Sequence, residues 1–292
     1  MLDYPSLFAL AAVLREGSFE RAARALHVTP SAVSQRIRLL EERVGCALVI
    51  RGQPCEATET GRRLCQHVDR LRLLEHELRS ELPALLSDEQ VWVNVPVAVN
   101  ADSLATWFSK AMPDIAASAP GLLLQLSVDD EGHTREGLRS GSVLAAVTAS
   151  EQPATGCSSR PLGAMRYVAA ASPAFVARYF PRGINADCVR GAPSLSFNAK
   201  DELQQRWVSR LCGRHVEPPR HALPSPQGFV AAALAGMGWG LHPLPLVAEH
   251  LRSGQLVELV PDAPLDVPLH WQQARASSTL LEALTRAVSK AA

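Results

Sequence analysis

Three patterns of apolar and polar positions follow one another along the chain. Over residues 1 to about 58, short stretches with apolar residues three or four apart are separated by turn signals. From 59 to about 86 one long stretch keeps the helical spacing, rich in Leu, Arg and Glu and closed by Pro83. From Val91 onward short β-rich runs alternate with helical ones, the pattern of an α/β sheet domain. The sequence holds no internal repeat and no low-complexity tract.

In the first zone Leu7, Leu10, Ala11 and Leu14 line one face of a helix that ends near Gly17. Ser18 is placed to cap a second helix over residues 19 to 26, burying Phe19, Ala22, Ala23 and Leu26. Thr29 and Pro30 then supply an N-cap and a first helical residue, and Gly45 a left-handed stop, for a third helix from Pro30 to Val44. On it Val33, Ile37, Leu40 and Val44 form one stripe, while Ser31, Ser34, Gln35 and Arg38 share the opposite face. Small hydrogen-bonding residues there let a backbone approach base edges, and Gln bonds adenine bidentately, so the pattern fits a helix-turn-helix reader. The plainer alternative is a three-helix bundle with a solvated face. A short strand over 46–51, a turn over 52–57 and Thr58-Glu59-Thr60-Gly61 follow, giving a wing that carries Arg51 toward a phosphate or the minor groove.

In the second zone Leu64, Val68, Leu71, Leu74, Leu78 and Leu82 step by three or four residues. An apolar seam of that kind needs a partner, most simply the same helix of a second chain. The alternative is packing on this chain's own later region. Two readers across a two-fold axis would see a palindromic site.

The third zone opens with a strand at 91–96, a helix over 101–119, a strand over Leu122–Val128, a helix over 136–140 and a strand over 143–148. This β-α-β-α-β order begins a doubly wound sheet, whose ligands gather at the strand carboxyl ends. A second half starts near Pro161, with a strand at 167–171, helices over Pro173–Tyr179 and 227–236, and a strand at Gly240–Pro243. The chain returns near Leu269 and closes with a helix from Ser278, so two lobes crossed twice form a hinged cleft. Asn100 and Ser103, at the start of the first helix, can hold a carboxylate, and Ser225 can do the same in the other lobe. Asp129, Asp130 and Glu131 follow the second strand directly. Together these suit a zwitterion with one or two cationic groups, which a basic amino acid satisfies. Taken singly, helix caps and acidic loop runs are ordinary. Trp107 and Phe197 are expected in the core.

Composition narrows the class. The 292 residues, 47% hydrophobic and 20% charged, describe a folded chain of two or three units. No run of 18 apolar residues occurs, and residues 1 to 15 lack a secretory pattern. Six cysteines at 46, 55, 65, 157, 188 and 212 form no CxxC pair, so reduced thiols, a cytoplasmic location and no metal are expected. The first 66 residues hold nine arginines against seven acids, too even for nonspecific DNA affinity by charge alone. Neither a nucleotide loop nor a GxSxG elbow is present, so no catalytic residue, no enzyme activity and no cofactor is expected. A solute receptor would leave residues 1 to 86 unexplained.

The run SFERAARALHVTPSAVSQRIRLLEERVGCALVIR, followed by TETG, resembles the DNA-binding end of the LysR-type transcriptional regulators. Ala22, Ala23, Leu26, Pro30 to Ser34, Ile37, Leu40, Glu41, Gly45, Leu48, Arg51, Thr58 and Gly61 carry it. The resemblance implies an N-terminal winged helix-turn-helix (1–58), a linker and dimerisation helix with a hinge (59–90), and an α/β effector domain (91–292). That domain is similar to two-lobed periplasmic solute receptors, with lobe I at 91–160 and 266–292 and lobe II at 161–265. It also implies that Pro30, Ser31, Ala32, Ser34 and Gln35 meet the major groove, with Arg38 beside them and Arg51 on a wing that has no other basic residue. Further runs, NADSLATW, VDDEGHTREGLRSG, SPAFVARYFPRG and GFVAAALAGMG, are similar to the arginine/lysine-responsive ArgP/LysG subgroup. That implies a DNA-binding regulator of basic amino acid export or metabolism, with lysine or arginine as effector. Implied partners are double-stranded DNA, a second copy in a homodimer or a dimer of dimers, and RNA polymerase. Two alternatives within the fold are another small-molecule effector and a replication-origin inhibitor. The chain departs from the subgroup at residues 199–202 and 224–226.

Overall fold

The structure is a computed structural model that describes residues 3–82, 92–128, 131–275 and 278–292. Its first three helices begin and end on local chemistry. Helix α1 (Tyr4–Glu16) starts where the Asp3 carboxylate accepts from the Ser6 backbone, and stops at Gly17 with φ +66°. Helix α2 (Phe19–Ala25) is capped by Ser18, and α3 (Pro30–Val44) by Thr29, whose hydroxyl accepts from Ala32 N at 3.2 Å. Gly45, at φ +82°, terminates α3 in the left-handed region. Leu7, Leu10, Val33, Ile37 and Leu40 bury together as the core of this unit, with Val44 at its margin.

The wing is shorter than the run 46–51 suggests. Strand β1 is Val49–Ile50, and the expected turn ends in a second strand, β2 (Glu56–Ala57), antiparallel to it with Val49 opposite Ala57. The reason lies in side chains that take over the neighbouring backbone groups. Glu41 Oε1 accepts from Leu48 N at 2.7 Å, and the Thr58 hydroxyl donates to the Ala47 carbonyl at 2.9 Å.

Helix α4 (Glu59–Glu81) opens on Thr58, whose hydroxyl accepts from Gly61 N at 3.1 Å. A methyl group at Gly61 would overlap the Leu48 carbonyl oxygen, so only glycine lets the helix lie this close to the wing. The expected seam divides along α4. Leu64 and Val68 pack on the reader's core, while Leu73, absent from the expected seam, is buried in the core of the following domain. Burying such a side chain contributes about 1.5–3 kcal/mol. Leu74, Leu78 and Leu82 are left exposed. The helix meets two different bodies in turn and presents a different face to each. The expected stop at Pro83 lies outside the described residues.

The remaining elements are β3 (Val93–Val99), α5 (Ala101–Ala105), α6 (Met112–Ser118), β4 (Leu122–Val128), α7 (Glu131–Ser140) and β5 (Ala145–Thr148). After them come β6 (Cys157–Ala171), α8 (Pro173–Tyr179), α9 (Ala186–Gly191), β7 (Ser194–Ser196), α10 (Leu203–Cys212) and β8 (Arg220–Ala222). The chain ends with α11 (Pro226–Leu234), β9 (Gly240–Pro243), α12 (Leu244–Arg252), β10 (Val257–Glu258), β11 (Leu265–Ala274) and α13 (Thr279–Ala291). The single helix expected over 101–119 is broken. The Thr106 hydroxyl donates to the Asp102 carbonyl at 2.6 Å while its own backbone leaves the helical region, a 3-10 turn spans Phe108–Ala111, and Pro113 restarts the helix as α6.

Strands β4, β3 and β5 lie side by side and parallel, in that order. Strand β6 is far longer than the expected run at 167–171. It pairs antiparallel with β11 from Tyr167 opposite Leu265 to Cys157 opposite Ala274, with one register shift at Leu269/His270. Together β6 and β11 carry the sheet from one half to the other, and β9 and β10 add to β6 in the second half. Helix α13 returns to the first half and buries Leu280, Leu281, Leu284 and Val288 in the common core.

Candidate functional site

The sequence points to two surfaces. On α3, Pro30, Ser31, Gln35 and Arg38 are exposed, and Ala32 and Ser34 are half-buried between them. All six lie on the N-terminal two and a half turns of one helix, with Ser31, Gln35 and Arg38 turned away from the buried Val33, Ile37 and Leu40. The Thr29 and Ser31 hydroxyls lie 3.0 Å apart at the helix start, beside backbone N–H groups that suit a phosphate. Arg38 pairs with Glu42 one turn on, at 3.2 Å in full exposure, a pairing weak enough to exchange for another anion. Arg51 is exposed at the end of β1, its guanidinium over the Phe19 ring at 5.4 Å. That contact ties the wing's cation to α2.

The second surface is a cavity of about 420 Å³ in the second domain, within the roughly 300–1,000 Å³ typical of small-molecule sites. The carboxyl ends of all three parallel strands open on it: Asn100 follows β3, Val128 ends β4, and Thr148 ends β5. The facing wall comes from the other half, with Phe197, Asn198, Lys200 and Asp201 after β7, Pro226 and Phe229 of α11, and Leu241 and Pro243 of β9.

Of the residues expected here, Asn100 lines the cavity, its side chain capping α5 by accepting from Ser103 N at 2.7 Å. Ser103 is fully buried and does not line the cavity, because one turn after the cap the helix faces the core. Ser225 caps α11 by accepting from Gly228 N at 3.1 Å, and its neighbour Pro226 forms the wall instead. Asp129 and Asp130 lie outside the described residues, as does the side chain of Glu131, whose backbone opens α7. Trp107 and Phe197 both pack at the margin of the core, as expected, and Phe197 also forms part of the cavity wall.

A further acid, Asp102, outside the expected set, belongs to this wall. Its Oδ2 accepts from the Tyr167 hydroxyl at 2.7 Å, across 65 residues of sequence. Burial raises its pKa; the Tyr167 hydrogen bond opposes this, and the nearby Asp201 adds to it. Burial, reinforced by Asp102, likewise pushes the Tyr167 phenol up, so it stays a donor. Asp201 is held by its own loop, accepting from Phe197 N at 2.8 Å and Leu203 N at 3.1 Å. An acidic residue three places after a strand end can be picked out from the sequence; its partner on a distant strand cannot.

Thr134 and Thr148 add hydroxyls to the wall. Among the described residues, no cluster of three or more metal-ligating side chains occurs, and no helix is long and apolar enough to cross a membrane.

Comparison with known proteins identifies both domains. Residues 6–62 match the bacterial regulatory helix-turn-helix protein, lysR family, and residues 95–292 match the LysR substrate binding domain. The chain is 46% identical over 290 residues to the HTH-type transcriptional regulator ArgP of Pseudomonas fluorescens, covering 99% of this chain and 96% of that one. The crystal structure of ArgP from Mycobacterium tuberculosis superposes with a TM-score of 0.83 at 43% identity, covering 100% of this chain and 97% of that one. Full-length LysG from Corynebacterium glutamicum with bound effector Arg matches with a TM-score of 0.71 at 38% identity, covering 99% and 98%. A winged reader and a two-lobed α/β domain with a cleft at its strand ends occur here in one chain, and the chain belongs to the LysR family of helix-turn-helix transcriptional regulators.

Proposed function

We propose that this regulator reads a palindromic DNA site with α3 and takes a basic amino acid, arginine or lysine, in its cleft. The single observation that carries the effector reading is Asp102, a half-buried acid in the cleft wall with one oxygen held by Tyr167 and, among the described residues, no hydrogen bond to the other. An ionised carboxylate out of water is unfavourable unless a cation pairs with it, and a guanidinium or ammonium group supplies that cation. The LysG relative with bound Arg supports the choice.

Thr134, Thr148 and Lys200 line the same cavity and offer groups for the ligand's carboxylate. In this reading Pro30, Ser31, Ala32, Ser34, Gln35 and Arg38 face the major groove, and Arg51 reaches the backbone or minor groove beside it. The reader occupies residues 1–58, the linker 59–90 and the effector domain 91–292. The two lobe boundaries at 161 and 266 then fall inside the continuous strands β6 and β11. The exposed Leu74, Leu78 and Leu82 give α4 an apolar face for a second copy, which sets two readers across a two-fold axis.

The test is thermal unfolding of the full chain with each common amino acid in turn. A ligand at 100 times its Kd adds about 2.7 kcal/mol to the folded state. Arginine or lysine should raise the midpoint while leucine and glutamate leave it unchanged. A response to neutral or acidic amino acids alone would overturn the effector assignment and leave the DNA reader standing.

A further inference from the structure

A second cavity of about 420 Å³ lies away from the cleft, between the linker helix and the last turn of α7. Arg63, Gln66, His67 and Arg70 sit at positions i, i+3, i+4 and i+7 of α4, so one face of the helix lines it. Arg139 and Glu136 close the other side. The pairing is uneven. Glu136 is spent on Arg139, which donates to both its oxygens at 3.0 Å, and Arg63 leans out to Glu59 at 3.2 Å. Arg70 has no hydrogen bond or ion pair among the described residues, yet its guanidinium lies so close over Gly141 that a side chain there would overlap it.

Some other arginines of the effector domain pair directly with carboxylates, as in Arg166–Asp266 and Arg190–Asp187, but none of those pairs faces this groove. The C-terminal dipole of α7 accounts for one cation here, and Arg139 in its last turn already provides it.

We propose that this groove binds a small, multiply charged phosphate anion. Guanidinium forks match phosphate oxygens bidentately, and three of them around one cavity favour an anion with more than one charge. The exposed, single contact of Arg63 with Glu59 is weak enough to yield to it, while Arg139 stays anchored on Glu136 by its two hydrogen bonds. Occupied, the groove ties α4 to the far end of the same helix whose Thr134 lines the effector cleft. Anion and effector are then linked, each changing the other's affinity by the same factor.

The experiment is calorimetric titration of the full chain with inorganic pyrophosphate at constant ionic strength, in the parent, Arg63→Ala, Arg70→Ala and Arg166→Ala. Binding should weaken at least tenfold in Arg63→Ala and Arg70→Ala and stay unchanged in Arg166→Ala, with unfolding midpoints of all variants near the parent's. No binding to the parent, or equal affinity in Arg70→Ala, would overturn the site. Titration with a short duplex of unrelated sequence separates the two sources of phosphate: Arg70→Ala should leave that affinity unchanged, and a loss there without one for pyrophosphate would overturn the free anion in favour of DNA.

Discussion

Replacing Asp102 by Asn keeps the shape and the acceptor for the Tyr167 hydroxyl but removes the charge. In the empty protein this costs little. Burial already disfavours the ionised form, so the neutral amide should hold stability within about 1 kcal/mol of the parent at neutral pH. Binding should respond very differently. Leaving a ligand cation buried without its carboxylate costs about 2–5 kcal/mol, or roughly 30- to several-thousand-fold in Kd. The two effects separate in one set of measurements, with unfolding midpoints without ligand and calorimetric titration with arginine.

The pH dependence carries the same logic. Because the pKa of Asp102 is raised, its ionised form opposes folding, and the empty parent should lose stability as pH rises beyond the ordinary carboxylate range. A cationic ligand needs that ionised form, so its affinity should fall as pH drops through the raised value. Both slopes should vanish in Asp102→Asn. Equal arginine affinity in variant and parent would refute the assignment of Asp102, and so would a large loss of stability in the empty variant.

Gly61→Ala should destabilise the chain by about 1–3 kcal/mol, because the new methyl group meets the Leu48 carbonyl, while Gly191→Ala, with open space around it, should be within about 0.5 kcal/mol in the same melts. Gln35→Ala should lose about 1–3 kcal/mol of discrimination among operator variants, read by competition binding; unchanged preference would remove Gln35 from base contact. His242 is fully buried against Phe229, its ring nitrogens lack a well-formed hydrogen bond among the described residues, and burial lowers its pKa to about 4, slightly opposed by the Ala170 backbone. With a depressed folded-state pKa, its contribution is present above about pH 6.5 and lost as pH falls toward 4, a change of a few kcal/mol. His242→Phe should flatten that part of the pH–stability curve measured by urea unfolding.

Where the determinants are local, the sequence was readable residue by residue. Helix α3 begins and ends where Thr29, Pro30 and Gly45 place it, because a cap is decided by neighbours three residues away. Strand β4 occupies Leu122–Val128 as its pattern suggests. The misses are tertiary. The polar first half of β6 does not read as a strand until β11 pairs with it, and Leu73 rather than Leu74 is buried because the second domain reaches α4 from that side. The candidate site was half legible for the same reason. Asn100 follows from a strand end, but Asp102 gains its meaning from Tyr167 and Ser103 loses its own by facing the core.

The pairing of β6 with β11 also has a consequence for how the chain folds as it is made. Arg166 meets Asp266 across 100 residues, so the central ladder of the second domain cannot form until nearly all of the chain has been synthesised. Helix α13, which completes the core of the first half, arrives last of all. The reader needs only contacts within the first 68 residues and gains its core early. Chains stopped before residue 265 should therefore carry a folded reader on an unfinished second domain, able to occupy DNA and unable to answer an effector.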